Sequence, residues 1–559
     1  MSTIQLSAKD SAKAVAAPTQ DKSWGWEWLA MGIVSLISAC LLAAWFTCSH
    51  RLPTIDEAGH ILNSLTYRDL FRHPHLFNQN WWFQLFTVNR FYPPFVHAFG
   101  GALKAFLGTG RAVDVFALIV YNVVLTCSVF GAAKICSGRM RAAIFAAIII
   151  NCYPIIALLN RAFWLDLPLV AMISMALYAV LRYDSAKTWK NALFAGVCLG
   201  LAGMTKQIAV AYLALPTIYI LGNQLIGGKK AQPHVSRTTV AQALSICLIA
   251  GAICAPWLLL NAGQAKNIAD ECSAHITKSQ SYWANLAFYM VQLPTIMSPL
   301  LLAILPSAFL TVPRTALTKL VPVGLSVLGG LLSISAVAFL FPKPQYEAPI
   351  LIASAIVSGI VLCRIADSSS RLLPAFAYAY LAAAVTQILA MEFAPYPVHY
   401  PAFLSKIPSS MKAEISEPRL GFVGLNPHNT QDWGQVWAIE QIDKIDSGKQ
   451  VWLNILGNTP NLNVHTFELV ARDLNSKVKP TTSRLYSIGG DTVHFSPEEA
   501  LYYQWYLVPS ENKYQGFANA ESEQQFQRLK EFISDSDHFR AVASKVLPDG
   551  SSVTLYRQL

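Results

Sequence analysis

The residues best suited to chemistry follow the first long apolar segment. The stretch from Thr54 to Pro94 opens with adjacent carboxylates, Asp56 and Glu57. Acidic groups at the depth where a membrane helix meets water are costly unless they have a partner or a function. A carboxylate placed there can serve as a general base. It can also simply start a helix, since Asp suits an N-cap and Glu the first turn.

Other polar residues stand at the ends of later apolar runs: Arg161, Asp166, Lys206, Lys343 and Tyr346. Three of them are cations, which can neutralise phosphate oxygens, and the acids can move a proton. The set fits transfer of a group away from a phosphate leaving group. Two other interpretations remain open: Arg161 and Asp166 can form a structural ion pair, and interfacial lysines often extend to lipid headgroups.

Composition places these residues in a polytopic membrane protein. Of 559 residues, 54% are hydrophobic and 13% charged, and the mean hydropathy is +0.39, which excludes a single soluble core. Residues before 395 hold 27 Lys/Arg against 14 Asp/Glu, and the remainder hold 15 against 18. The basic excess therefore belongs to the membrane half, where it indicates cytoplasmic loops and gives no reason to expect nucleic-acid binding.

The apolar runs predict an α-helical membrane domain over residues 24–394, after a polar cytoplasmic N-terminus at 1–23. We expect the first span to be a retained anchor. Positive charge in alternate loops predicts eleven crossings, or up to thirteen, and places all the polar residues named above on the outer face. The predicted spans are 28–46, 113–134, 141–158, 165–182, 190–204, 207–226, 238–260, 284–310, 318–340, 347–363 and 372–391.

The first outer loop, residues 47–112, is predicted to lie in the membrane interface. After Asp56 the chain is amphipathic, with Ile61, Leu62 and Leu65 on one face, and aromatic residues at 81–83 are typical of an interfacial belt. The run from Pro94 to Leu107 is apolar but short. We expect it to lie in the interface too, because a crossing there would place the basic loop at 134–141 outside.

Residues 395–559 predict a soluble α/β domain, with loops 261–283 and 341–347 expected on its side of the membrane. The segment 450–456 alternates like a strand, and a helical pattern follows at 466–474, which makes a β-turn-α unit. The sequence KVLPDGSSVTLYRQL at the end predicts a hairpin with its turn at Pro548 to Gly550.

Nothing in the cysteine or histidine spacing predicts a metal site or another cofactor. Ten cysteines are present, none of them in the last 196 residues, and most stand inside apolar runs, where cysteine behaves as a small hydrophobe. Four of the five histidines in the first loop stand out as candidate ligands, but interfacial polar residues are commoner than metal ligands. Those histidines are His60, His73, His75 and His97.

Short motifs in a fixed order resemble the GT-C fold glycosyltransferases that use lipid-phosphate sugars. The chain is most similar to the group that contains protein O-mannosyltransferases and the lipid A aminoarabinose transferase. Each motif is weak by itself, but six occur in order over about residues 25–395. They are DEA after the first span, YPP at the end of the first loop, R....D in RAFWLD, TK after the fifth span, PW at 256–257 and KPQYEAP. The tail segment LPDGSSVTLY also resembles bacterial members.

The resemblance implies an inverting transfer of a sugar from a polyprenyl-phosphate donor to a protein, lipid or glycan acceptor. It implies Asp56 as the base, Glu57 as its neighbour, and Asp166 with Arg161 as the second-loop motif. Lys206 and Lys343 would meet the lipid phosphate, with Tyr346 beside it. A bacterial inner-membrane enzyme with its site on the periplasmic face is implied, and no obligatory metal, because the cations can stabilise a single phosphate.

The chain departs from the aminoarabinose-transferring members in two places. Phe91 and Tyr92 stand where those members have an acid and a lysine, and Gln345 stands where they have an arginine. Because both changes remove charge near the phosphate, we expect Arg90 or Lys206 to bind it, with Tyr92 in contact. The aminoarabinose specificity is therefore not expected to transfer.

Two other functions are consistent with this sequence. A transporter or lipid flippase would line a pathway with the same acids and cations, but it should also have ionisable residues at span centres and internal repeats. A non-catalytic envelope assembly protein with the same fold would tolerate loss of Asp56.

Overall fold

The computed structural model describes residues 24–49, 51–226, 236–276, 282–336, 343–393, 433–457, 459, 461–482, 496–511 and 520–559. They form a helical membrane domain and a smaller domain built on one sheet, in agreement with the predicted fold class. The predicted N-terminal tail and the domain boundary near 395 lie outside the described residues.

The first part of the chain places one long helix before three shorter ones. Helix α1 (Trp24–Cys48) leads to α2 (Ile55–Arg72), α3 (Gln79–Thr87) and α4 (Phe95–Leu107). Helix α2 has its predicted apolar face, with Ile61, Leu62 and Leu65 buried. None of these three helices is a candidate span, because α3 and α4 are short and α2, although 18 residues long, is too polar. They form a platform beside the end of α1.

The rest of the membrane domain is helical as predicted. Its helices are α5 (Arg111–Ser137), α6 (Met140–Cys152), α7 (Pro154–Leu159), α8 (Asp166–Ser185), α9 (Trp189–Gly203), α10 (Ala209–Ile226), α11 (Arg237–Ile276), α12 (Tyr282–Met297), α13 (Pro299–Leu302), α14 (Ala308–Thr311), α15 (Arg314–Ala336), α16 (Ile350–Ala366) and α17 (Leu372–Phe393). Seven described helices are long and apolar enough to cross a membrane, or eight if one bent pair counts as a single span.

Three details of the predicted topology are wrong. The eighth predicted span bends by 107° between Met297 and Pro299, where Ser298 has a φ of 71° and a proline follows at the first helical position. The third is interrupted at Tyr153, before Pro154. The loop expected from residue 261 is instead helical as far as Ile276, because residues 261–276 contain no glycine after Gly263 and no proline.

Helix α1 lies on the outside of the membrane domain, and only 17% of the residues in its most apolar stretch are buried. A polar network holds it in place. Ser38 Oγ lies 2.8 Å from Asn122 Oδ1 and 2.9 Å from Asn151 Oδ1, and Asn122 Nδ2 donates to Asn151 Oδ1 at 3.0 Å. Interhelical hydrogen bonds of this kind stabilise membrane bundles, where apolar packing cannot distinguish protein from lipid.

The C-terminal domain contains a five-stranded sheet of order β2-β1-β3-β5-β4. Strand β1 pairs in parallel with β2 and β3, whereas β3 to β5 and β4 to β5 are antiparallel. The described elements are α18 (Gln435–Ile445), β1 (Val451–Ile455), α19 (Val464–Asp473), β2 (Val478–Thr481), α20 (Pro497–Ala500), β3 (Trp505–Pro509), α21 (Ala520–Asp535), β4 (Phe539–Val546) and β5 (Ser552–Gln558).

Both local predictions for this domain are confirmed. Strand β1 and helix α19 are the β-turn-α unit, and β4 with β5 is the terminal hairpin. The hairpin turn needs Gly550, which has a φ of 84°, a conformation that costs glycine little.

Helix α19 docks the C-terminal domain on α2. Leu469 of α19 packs in the apolar core of the membrane domain, and Leu52, just before α2, packs against the core of the C-terminal domain. Thr466 Oγ1 donates to the Pro53 carbonyl at 3.3 Å, and Arg472 pairs with Asp69 at 3.4 Å. Each domain therefore packs a side chain into the other at the start of the first loop.

Close packing of α2 on α4 gives a test of this platform. A Cβ at Gly101 would lie 2.4 Å from Tyr67 Cβ and 2.8 Å from the Ser64 carbonyl oxygen. Gly101→Ala should therefore destabilise the protein by ~1–3 kcal/mol, as overpacking does. Gly251→Ala, a helical position with nothing within 4 Å, is the matched control. Thermal unfolding in detergent should separate the two variants, and equal melting temperatures would contradict the packing described.

Candidate active site

The site is a cavity of about 540 Å³ between α2, the ends of the membrane helices and α19. Four of the charged residues singled out from the sequence line it together: Asp56, Asp166, Lys206 and Lys343. Tyr92 and Tyr346 line it as well. The chain thus collects acids, cations and aromatic rings from residues almost 300 positions apart into one space.

A buried ion pair forms the deep end of this cavity. Asp166 is the first residue of α8, and Lys206 stands in the turn between α9 and α10. Lys206 Nζ donates to Asp166 Oδ1 at 2.8 Å. It also lies 4.8 Å from the centre of the Tyr346 ring and 5.8 Å from that of Tyr92, a cation–π arrangement.

Lys206 keeps its charge in this setting. Burial acts to lower the pKa of Lys206, but the Asp166 carboxylate outweighs it and the pKa is raised. Tyr92 stays protonated, since burial raises the pKa of its hydroxyl. The deep end therefore presents a permanent cation framed by neutral aromatic rings, an arrangement suited to an anionic group.

Asp56 is more exposed than Asp166 and less tightly bound to a cation. Its side chain is 61% exposed, and its Oδ2 is 3.9 Å from Lys343 Nζ, which is a loose contact. Lys343 is itself 43% exposed. Asp56 can therefore accept a proton from a molecule in the cavity, whereas Asp166 has one oxygen committed to Lys206.

The neighbouring carboxylate, Glu57, does not line the described cavity. Its Oε2 accepts from Arg51 Nη1 at 2.9 Å and from the Thr54 amide at 3.4 Å, and its Oε1 accepts from the Phe163 amide at 3.2 Å. Its side chain is only 5% exposed. This geometry favours a positioning role, in which Glu57 joins the start of α2 to the loop before α8.

Two predicted phosphate ligands also lie away from this cavity. Arg161 is buried, pairs with Glu392 of α17 and stacks over the Trp45 ring at 4.8 Å. Arg90 donates to Gln264 Oε1 at 2.8 Å. Of the two residues proposed to compensate for the departures at positions 91, 92 and 345, the structure places Lys206 in the cavity and leaves Arg90 outside it.

The end of the first loop is held by an Asn turn and by α11. Asn89 Oδ1 accepts from the amides of Phe91 and Tyr92 at 3.0 and 2.8 Å, and the Asn89 carbonyl accepts from Trp257 Nε1 at 3.5 Å. Trp257 belongs to the PW motif, so that motif acts on the loop that carries Tyr92.

Sequence reasoning missed several residues of the cavity wall. His465 and Glu468 come from α19 of the C-terminal domain, Trp164 lies inside the RAFWLD motif, and the others are polar residues between the motifs: Asn63, Thr66 and Asn89. His60, which the sequence analysis set aside with the other histidines, also lines the cavity. The one available signal was helical spacing, since Asp56, His60 and Asn63 share a face of α2.

His60 is neutral here. Burial above all, and then the positive charges of Lys206, His465 and Lys343, lower the pKa of His60 to about 3. Among the described residues, no group of three or more His, Cys, Asp and Glu side chains is arranged to hold a metal ion.

Comparison with known proteins confirms the resemblance that the motifs indicated. Residues 92–259 match the sequence model of the dolichyl-phosphate-mannose-protein mannosyltransferase family. No curated protein sequence matches the chain. The crystal structure of ArnT from Cupriavidus metallidurans bound to undecaprenyl phosphate is similar, with a TM-score of 0.54 at 15% identity, over 95% of this chain and 98% of that chain.

The chain has the GT-C fold. The apo state of the same ArnT matches equally well, with a TM-score of 0.54 at 15% identity over 94% of this chain and 98% of that one. The archaeal oligosaccharyltransferase AglB from Archaeoglobus fulgidus has 14% identity, covers 94% of this chain and 80% of that one, and has a TM-score of 0.48. At 15% identity the likeness to ArnT shows the fold alone, so that the chemistry has to be argued from the cavity.

The two acids at the start of α2 should respond differently to substitution. Glu57→Ala should lower the free energy of unfolding by about 3 kcal/mol, because it leaves the Arg51 guanidinium and the Phe163 amide without their shared partner. Asp56→Asn should leave the melting temperature unchanged, since its one ionic contact is long and exposed. Melting curves of both variants and the wild type test this, and a stable Glu57→Ala protein would contradict the positioning role.

Proposed function

We propose that this protein is a membrane glycosyltransferase that moves a sugar from a polyprenyl-phosphate donor to an acceptor by an inverting reaction. The observation that carries the proposal is the cavity itself, in which an accessible carboxylate, Asp56, faces the buried cation Lys206 and the exposed cation Lys343. The GT-C fold and the family match at 92–259 support it.

The proposed chemistry is a single displacement. An acceptor oxygen attacks the anomeric carbon from the side opposite the phosphate, a new carbon–oxygen bond forms, and the bond to the phosphate oxygen breaks. The leaving polyprenyl phosphate keeps the electron pair, and Asp56 takes the acceptor proton. Lys206 and Lys343 stabilise the negative charge that grows on the phosphate.

Asp166 and Tyr346 have supporting roles in this scheme. Asp166 raises the pKa of Lys206 and fixes its Nζ at 2.8 Å, so that the cation is in place before the donor binds. The backbone carbonyl of Tyr346 accepts from the Tyr212 hydroxyl of α10 at 2.5 Å, which anchors the loop that presents the Tyr346 ring to Lys206. Such preorganisation lowers the barrier because no groups have to reorient during the reaction.

The donor and acceptor are proposed by class. A polyprenyl-phosphate sugar would reach the cavity from the bilayer, and the acceptor would be a protein, lipid or glycan. We place the site and the C-terminal domain on the periplasmic side of a bacterial inner membrane, because the distribution of basic loops supports that orientation.

Mass spectrometry of lipid-linked sugars and envelope glycans, with and without the gene, tests the proposal and identifies the substrates. Loss of the gene should remove one glycan modification and increase the polyprenyl-phosphate sugar. Complementation with Asp56→Asn should not restore the product, since loss of a general base costs ~10²–10⁴-fold in rate. Glu440→Gln, an exposed acid of α18 outside the cavity, should restore it. Full restoration by Asp56→Asn would refute the assigned base.

Chelation gives an independent test of how the phosphate charge is neutralised. Because Lys206 and Lys343 supply the positive charge that neutralises the phosphate, transfer by the purified protein should be unchanged by excess EDTA. Lys206→Met should slow transfer at least ~100-fold, as loss of one electrostatic donor does. Rates measured with a radiolabelled polyprenyl-phosphate sugar decide the matter, and loss of activity in EDTA that added Mg²⁺ or Mn²⁺ restores would contradict the metal-independent scheme.

A further inference from the structure

Two histidines of the first loop are paired beneath the cavity. His60 of α2 lines the cavity, and His97 of α4 lies behind it with 0% exposure. His60 Nδ1 and His97 Nε2 are 3.0 Å apart, a hydrogen-bond distance that requires one hydrogen between them. The second ring nitrogen of His97, Nδ1, is buried and has no hydrogen-bond partner.

The orphaned nitrogen decides which ring supplies that hydrogen. If His60 donated from Nδ1, a neutral His97 would carry its own hydrogen on Nδ1, and a buried N–H would remain unbonded. Buried N–H groups without an acceptor are rarer in proteins than acceptors with a free lone pair. We therefore infer that His97 Nε2–H donates to His60 Nδ1 and that His97 Nδ1 carries only a lone pair.

This arrangement fixes the hydrogen of His60 on its other nitrogen. With Nδ1 acting as acceptor, a neutral His60 has to carry its hydrogen on Nε2. Nε2 has no partner among the described residues, yet it is not one of the fully buried polar atoms. The ring packs against Tyr92, with ring centres 5.7 Å apart, and Lys206 Nζ lies 5.8 Å from the centre of the same Tyr92 ring.

A protonated His60–His97 pair is disfavoured in this setting. The charges of Lys206, His465 and Lys343 all oppose a proton on the His60 ring, and His97 has no carboxylate contact among the described residues. The imidazole therefore donates a hydrogen bond without adding charge to the cavity.

We propose that His97 is a positioning residue that holds His60 as a neutral N–H donor, and that His60 Nε2–H binds an anionic phosphate oxygen beside Lys206. The proposal rests on the function proposed above, because it assigns a third contact to the phosphate of the donor. It also gives a role to His60, which lies one helical turn after Asp56 on the cavity face of α2.

The test is a double-mutant cycle on binding of undecaprenyl phosphate to the full-length protein in detergent micelles. His97→Leu removes the hydrogen bond between two neutral rings that fixes the His60 tautomer, so it should weaken binding by about fivefold, as loss of one neutral hydrogen bond does. His97→Gln retains an amide N–H and should bind within about twofold of wild type. Tyr121→Phe is the control, because Tyr121 is buried close to α4 and its hydroxyl also has no partner.

A second background separates tautomer control from simple packing. In His60→Gln the side chain has no tautomer for position 97 to fix, so that adding His97→Leu should cause no further loss of binding. An equal loss from His97→Leu in both backgrounds, or a His97→Gln variant as weak as His97→Leu, would overturn the inference. If the wild type does not prefer undecaprenyl phosphate over undecaprenol, the proposed function fails as well, and the two failures are thereby distinguished.

Discussion

Burial of Lys206 against Asp166 is the interaction on which the site depends. A lysine ammonium removed from water costs several kcal/mol unless a carboxylate and further contacts compensate it. Here the compensation comes from Asp166 at 2.8 Å and from the rings of Tyr92 and Tyr346. Because these partners come from the start of α8, the first loop and the turn before α16, the pair can form only when all three are in place.

The platform of α2 to α4 serves this arrangement from the other side. Glu57 joins the start of α2 to Arg51 and to the Phe163 amide, which leaves Asp56, one residue earlier, directed at the cavity. Helix α19 of the C-terminal domain then covers α2 and adds His465 and Glu468 to the cavity wall. The C-terminal domain thus supplies part of the wall of the proposed site.

The sequence predicted the residues that are charged at helix ends better than it predicted their roles. Asp56, Asp166, Lys206 and Lys343 could be chosen because charge at membrane depth is costly and therefore informative. The same criterion also chose Arg161 and Glu57, which the structure pairs with Glu392 and Arg51. One-dimensional patterns cannot separate a charge that is satisfied by protein from one that awaits a ligand, since that depends on partners hundreds of residues away.

Helices and strands were predictable where the hydrophobic residues of a segment repeated with one helical or strand period. The amphipathic α2, the β-turn-α unit of β1 and α19 and the hairpin at Gly550 were all read from local pattern. The bend at Ser298 and the continuation of α11 to Ile276 were not, because the spans were bounded by hydropathy, which records neither the turn before Pro299 nor a polar helical extension. The position of His465 could not be predicted, since it depends on how the two domains dock.

The most direct measurement is a cryo-electron microscopy structure of the protein with undecaprenyl phosphate. The account predicts the phosphate in the cavity between Lys206 and Lys343, with an oxygen within hydrogen-bonding distance of His60 Nε2 and the lipid tail leaving toward the bilayer. A phosphate bound elsewhere, out of reach of both Lys206 and Lys343, would contradict the proposed site.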